Sequence, residues 1–294
     1  MRSAILLLAL GAAACSRGGG ENLGLGDKRA PAPAIDSARL TQIGVLLEAL
    51  KLPAGEIDRA LGARGVEASS SIKIEPPGKA AEQLDETWRL DSDGRGAWHL
   101  VHDNARGYGV EATSLAGALY IRPRYGQFIK RRPEPEELDE LRASVEGVAA
   151  EYLSLLARQA QAREAGALEV AGHKAIKLAL SAAPQPAGGA RESDPARRWR
   201  DTVRARYLDG ELALDAASGA LVQARVAASW LFEREGVKGP FAVTLEYKLA
   251  TVAAQPIVEP AGAAPSPERP RPMVERQALL DGLKERPRAR RTHD

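Results

Sequence analysis

Four histidines, one cysteine and a scatter of carboxylates are the residues of this 294-residue chain that could do chemistry. A hydrolase needs a nucleophile, a base and an acid to orient the base, and a metal site needs several ligands converging. His99 and His102 stand three apart in a stretch of strand character. Their side chains therefore point to opposite faces and cannot share a metal. His173 falls at a turn and His293 in a basic terminal stretch. No metalloprotease, nucleophile-elbow, phosphate-loop or zinc spacing occurs. Asp91, Asp93 and Asp103 could gather around a loop cation, but nothing has the spacing of a calcium loop. The other carboxylates lie in turns (Asp209, Asp215) or along an expected helix surface (Glu136, Glu137, Glu140). No catalytic group, metal or cofactor is expected, and the chain reads as a non-enzyme. A net charge of +2 gives no field that would draw nucleic acid. The basic runs Lys130-Arg-Arg132 and Arg197-Arg198-Trp-Arg200 read as solvated charge beside loops, with anionic lipid headgroups as their alternative partner.

The cysteine has a different chemistry. Met1–Cys15, MRSAILLLALGAAAC, has a positive start, an apolar run from Ala4 to Ala14 and small residues just before the thiol. That pattern is a secretory signal, too short to span a bilayer. Ala-Ala-Cys at the end of such a run resembles the bacterial lipobox, where the cysteine is acylated and becomes the first residue after cleavage. Ala12 stands where that motif usually has Leu. Ala12-Ala13-Ala14 also fits an ordinary signal peptidase site, which would cut the same bond. Cys15 has no second cysteine to pair with, and acylation accounts for a lone thiol in an oxidising compartment.

The rest of the chain divides by composition. Residues 1–14 form the signal segment, and 15–34 a Gly- and Pro-containing tether carrying the lipid. Residues 35–255 form one domain, and 256–294 a Pro- and Arg-rich tail read as disordered. Within the domain, Leu40, Ile43, Leu46, Leu47 and Leu50 recur at helical spacing, and a turn of helix is expected over 56–61. Leu138, Leu141, Val145, Val148, Tyr152, Leu155 and Leu156 predict one long helix over 136–163. The remainder alternates with period two, broken by Gly, Asp and Asn. Hairpin turns are expected at Asp91–Gly94, Ala171-Gly172, Asp209-Gly210 and Asp215–Gly219. About ten strands with short turns make an antiparallel meander, whose apolar face needs covering. The fold class is therefore α+β, a curved antiparallel half-barrel covered by an N-terminal helix and a long mid-chain helix.

In this order of elements the chain resembles the LolA/LolB/LppX superfamily of periplasmic lipid and lipoprotein carriers. The resemblance spans residues 35–255 and shows locally in Asp91-Ser-Asp-Gly-Arg-Gly-Ala-Trp98, Val170-Ala-Gly-His-Lys174 and Leu208–Asp215 running into Ser218-Gly219. It implies an unclosed barrel with helices set in its mouth, and a tethered member resembles LolB or LppX. No carrier-defining residue transfers by position.

One surface favours a ligand. Val222, Ala224, Val226, Ala228, Trp230 and Phe232 share one face of a long strand, and Val243 and Leu245 share a face of the last. Small side chains on a concave face leave volume that either helices or an acyl chain must fill. The expected function is a lipid-anchored envelope lipoprotein, at the outer membrane facing the periplasm. It would bind the acyl chains of a lipid or lipoprotein without catalysis. The alternatives are an interaction or sensor module of the RseB type with an envelope protein partner, or a structural lipoprotein without ligand.

Overall fold

Alternating apolar and polar residues commit most of this chain to strands with one wet and one dry face. The structure, a computed structural model, describes residues 36–75, 80–185, 195–234, 237–250 and 256–265. The signal segment, Cys15 with its tether and residues 266–294 lie outside the described residues.

The order is α1 (Ser37–Leu40), α2 (Ile43–Ala49) and α3 (Ala54–Leu61), then β1 (Arg64–Ile74), β2 (Glu82–Ser92), β3 (Trp98–Asn104), β4 (Gly109–Leu115), β5 (Ala118–Pro123) and β6 (Ile129–Arg131). Helices α4 (Glu137–Glu146) and α5 (Val148–Leu156) follow. The chain returns through β7 (Ala160–Val170), β8 (His173–Ala182), a 3-10 helix (Pro195–Thr202), β9 (Arg204–Asp215), β10 (Leu221–Arg234) and β11 (Val237–Ala250). A last two-residue strand, β12 (Ala264–Pro265), closes the list of elements. All twelve strands form one open sheet in the order β12-β6-β5-β4-β3-β2-β1-β11-β10-β9-β8-β7. Two meanders are thus joined along β1 and β11, which pair antiparallel from Gly65↔Ala250 to Ile74↔Phe241. The α+β half-barrel expected from the sequence is present.

Register puts the apolar residues of neighbouring strands in line. On the inner face Ile72 pairs with Val243, Val243 with Ala228, and Ala228 with Leu208. Polar partners such as Glu67 and Lys248 share the outer face, where they form a 3.0 Å ion pair. The five helices cover the inner face. Leu40, Leu46 and Leu50 from the first two, Ile57 and Leu61 from α3, and seven residues of α5 join the sheet's apolar row in one continuous core.

Three local features differ from the sequence reading. The mid-chain helix ends at Leu156 and is broken at Gly147, which caps α4 at one end and opens α5 at the other. A Cβ at Gly147 would sit 2.9 Å from the Ala143 carbonyl oxygen. Residues 160–163, expected at the helix's end, begin β7, where pairing with β8 overrides an Ala-rich helical composition. Asp209-Gly210 is not a turn: β9 runs straight through it. Gly210 pairs with Val226 on the inner face, where a Cβ would come within 3.1 Å of the Arg225 carbonyl and 3.3 Å of Val226. Residues 256–265, placed in the tail from composition, run along the free side of β6. There Ala264 N–H donates to the Phe128 carbonyl at 3.0 Å, and Lys130 pairs with Glu259 at 3.1 Å.

The β2–β3 turn fixes how the helices meet the sheet. Asp93 accepts from the N–H groups of Arg95 (2.7 Å) and Ala97 (3.0 Å). Gly94, at φ +71°, lies against the backbone joining α3 to β1, and a Cβ there would fall 2.4 Å from the Gly62 carbonyl carbon. Gly94→Ala is expected to lower the unfolding free energy by more than ~2 kcal/mol, since strain and collision add. Gly44→Ala, in α2 with open space around it, should raise it by ~0.5–1 kcal/mol. Urea midpoints of the two variants check the pair. Equal midpoints would contradict the close approach at Gly94.

Candidate functional site

Strand alternation brings all eight residues of the expected ligand surface together. Val222, Ala224, Val226, Ala228, Trp230 and Phe232 face inward from β10, and Val243 and Leu245 lie beside Ala228 and Val226 on β11. The helices pack directly on them. Val222 and Trp230 are 0 % exposed, and none of the eight exceeds 8 %. No water-sized space lies beside Val222 or Trp230, which belong to one continuous core with the helices.

Open space lies at the seam between the two halves of the helical cap. A cavity of about 570 Å³ is bounded by the turn before α3 (Lys51, Leu52, Pro53, Ala54), by α4 and α5 (Ala143, Gly147, Ala150, Ser154) and by Arg200 of the 3-10 helix. Such a volume lies within the usual range of small-molecule sites. Asp139, Glu146 and Glu151 add acidic groups, and Lys51 with Arg200 the basic ones. A second concavity of about 630 Å³ lies on the outer face, between β2 and β10. Its charged side chains pair across strands, as in Lys248–Glu67, and present a solvated surface.

Beneath the seam, four charges meet away from water. Arg142 of α4 donates to Asp58 of α3 at 2.6 and 3.0 Å and to Glu146 at 2.7 and 3.0 Å. Arg64 of β1 donates to Asp58 at 2.9 Å and also to Glu146, and Ser92 adds a 3.1 Å bond to Asp58. Two guanidiniums and two carboxylates balance, with side chains only 3–8 % exposed. Burial raises the Asp58 pKa, but the hydrogen bonds and charges of Arg142 and Arg64 outweigh it and hold the carboxyl below its ordinary range. Burial and the Glu146 charge push the Tyr247 phenol above its ordinary range, against a smaller pull from Arg64 and Arg142.

The far end of α4 is pinned in the same way. Arg131 of β6 grips Glu137 with two hydrogen bonds, one of them 2.7 Å, and both side chains are 6 % exposed. Arg131 and Arg64 end one transverse row of the sheet, Arg131–Leu119–Ser114–Trp98–Ser92–Arg64. Five strand spacings make that row about 24 Å long, against about 15 Å for ten helical residues. The long arginine side chains bridge the difference. Three of the four buried residues of α4 are charged, whereas all seven in α5 are uncharged and largely apolar. Ionic clasps therefore hold α4, and apolar burial holds α5.

The histidines divide as their spacing requires. His99 faces outward and meets Glu111 at 2.9 Å. His102 faces inward, stacked on Trp88 (centroids 4.7 Å apart) and 3.0 Å from Glu86. Asp91 pairs with Arg89, Asp93 serves its turn and Asp103 pairs with Arg124 at 3.4 Å. No group of three metal-ligating side chains occurs among the described residues.

No protein-family model matches the sequence, and no curated protein does. Among solved structures, the chain is similar to LprF from Mycobacterium bovis, at 14 % identity over 78 % of this chain and 100 % of that one, TM-score 0.26. It is similar to a LolA superfamily protein from Nitrosomonas europaea, at 10 % identity over 74 % and 98 %, TM-score 0.23. The lipoprotein LppX from Mycobacterium tuberculosis matches at 14 % identity over 69 % and 93 %, TM-score 0.23.

The buried charges set a pH dependence. A carboxyl with a depressed folded-state pKa stabilises the fold above its unfolded value, ~3.9, and loses that contribution as pH falls through the folded value. Stability should therefore decline on acidification below about pH 4. Asp58→Asn should flatten this acid limb and cost ~3–5 kcal/mol at neutral pH, because it leaves two arginines facing one carboxylate. Urea unfolding at a series of pH values reads both effects. An unchanged acid limb in Asp58→Asn would contradict the role given to Asp58.

Proposed function

We propose that this chain is an envelope lipoprotein, tethered through acylated Cys15. In this reading its half-barrel takes up the acyl part of a lipid or lipoprotein without catalysing a reaction. The observation that supports the reading is the seam cavity of about 570 Å³, which opens between the two halves of the helical cap and whose lining mixes Leu52, Pro53 and small side chains with five charged ones. An acyl chain entering there would exchange water for apolar wall, at ~0.8 kcal/mol per buried CH₂. An outer-membrane anchor facing the periplasm belongs to the same proposal: the Met1–Cys15 segment supports export and acylation, and Ser16 after the cysteine resembles an outer-membrane sorting residue.

The competing reading, an interaction module without lipid, is favoured by one observation: the expected ligand face is filled by the cap. The two readings diverge in the seam. Ala143 lies on the solvent side of α4 at its edge, so Ala143→Trp should block the cavity with little effect on stability. The full chain should bind a fluorescent fatty acyl ester saturably, and Ala143→Trp should weaken that binding at least tenfold. Absence of binding by the parent protein would leave the interaction module as the better account.

Acylation has its own test. Mature protein extracted from membranes should carry added acyl mass on Cys15, and Cys15→Ser should appear in the soluble fraction or remain unprocessed. Several acyl chains anchor far more firmly than one. A mature chain without lipid mass would contradict the anchor.

A further inference from the structure

Trp230 stands near the end of the inner row of β10 and is 0 % exposed. Its ring stacks on Phe241, with centroids 4.4 Å apart and planes at 29°. Its indole N–H has no hydrogen-bond acceptor among the described residues. Such an orphan is costly, because a buried donor without a partner forfeits the hydrogen bond it made to water. Native structures hold few of them.

What lies beside it is equally particular. Phe232, two residues on and on the same face, meets Trp199 of the 3-10 helix edge-on, at 6.0 Å and 70°. Runs of 3-10 helix longer than three or four residues are uncommon, and this one has eight. Of its side chains from Arg198 to Thr202, only Trp199 is buried. Thr202 fastens the end of the helix by accepting from the Glu233 N–H at 2.8 Å. The next residue after Trp199, Arg200, lines the seam cavity. Trp199 thus stands one residue along the chain from the cavity's Arg200, in contact with Phe232, which shares its strand face with the orphan N–H of Trp230.

We infer that the Trp230 N–H is the anchor for the carbonyl oxygen of an acyl ester, and that Trp199 is the plug such a ligand displaces. The inference rests on the acyl-binding reading and narrows it to a ligand class. A single neutral donor in an apolar wall suits a neutral ester carbonyl. It does not suit a carboxylate, whose charge would be buried without a counterion. With Trp199 withdrawn, the hydrocarbon chain would lie along Phe232, Phe241 and Ala228, and the ester's remaining polar portion would stay at the seam near Arg200 and Lys51.

The test compares two pyrene probes of equal chain length on the full chain, a pyrenyl alkanoic methyl ester and the corresponding alkylpyrene. The ester should bind about tenfold more tightly, the size expected when an orphan donor gains its acceptor. Trp230→Phe should erase that preference and leave alkylpyrene affinity within about twofold, since the alkylpyrene has no acceptor to use the lost N–H and an aromatic ring still lines the site. Trp199→Ala should raise affinity for both probes. In ¹⁵N-labelled wild-type protein, the indole N–H resonance of Trp230 should move on adding the ester and not on adding the alkylpyrene, which decides the matter should Trp230→Phe fail to fold. Equal affinities for the two probes, a preference that survives Trp230→Phe, or an unmoved indole resonance would overturn the inference while leaving acyl binding intact. Binding of neither probe would overturn both.

Discussion

The buried cluster of Asp58, Arg64, Arg142 and Glu146 joins three separate parts of the chain, and the arrangement of the cap depends on it. An open sheet of twelve strands exposes an apolar face that cannot be closed by the sheet itself, so helices must cover it. Those helices come from two places in the sequence, before β1 and between β6 and β7. Apolar packing alone would let them slide, because hydrophobic contact has no direction. Arg142, bidentate to both carboxylates, and Arg64, which bridges them with one hydrogen bond to each, fix their angle and position instead. Replacing such a cluster with apolar residues need not cost stability. Its contribution here is positional: it holds α3 against α4 and both against the first residue of β1.

The division of labour in the cap follows from that joint. Helix α5 is part of the core, whereas α4 is clasped at both ends by arginines of the sheet. Between them Gly147 supplies a break that no larger residue would fit without displacing the Ala143 carbonyl. The seam opens beside this break, and the 3-10 helix borders it. The packed inner face and the open seam are thus features of one structure, the seam lying at a joint between parts held by different forces.

Much of this was legible in the sequence. Period-two alternation located nearly every strand, and turn chemistry at Asp91–Gly94, Ala171-Gly172 and Asp215–Gly219 set the meanders. The small-large face of β10 was visible as a surface before any fold was known. The failures share a cause. Residues 160–163 have helical composition, and only their pairing with β8 makes them strand. Asp209-Gly210 has the composition of a turn, but Gly210 sits within β9, where Arg225, Val226 and Leu180 of the two neighbouring strands approach its Cα side closely. The charge cluster was hidden because Asp58 and Arg142 lie 84 residues apart. Arg142 and Glu146 did carry one local signal, an i,i+4 pair flanking the apolar stripe of Leu138, Leu141 and Val145. The seam and the orphan N–H of Trp230 exist only after packing, and no sequence pattern marks them.

The central claim is that an acyl chain enters between the halves of the cap and reaches the inner face of β10. Photo-crosslinking of the full chain with a diazirine-bearing acyl ester, followed by mapping of the adducts by mass spectrometry, tests it directly. Adducts are expected on the seam-facing residues of α4 and α5, on the 3-10 helix, and on β10 around Ala228 to Phe232. Adducts confined to the charged outer face of β1, β2 and β10, or none above the level of a hydrocarbon competitor control, would contradict it.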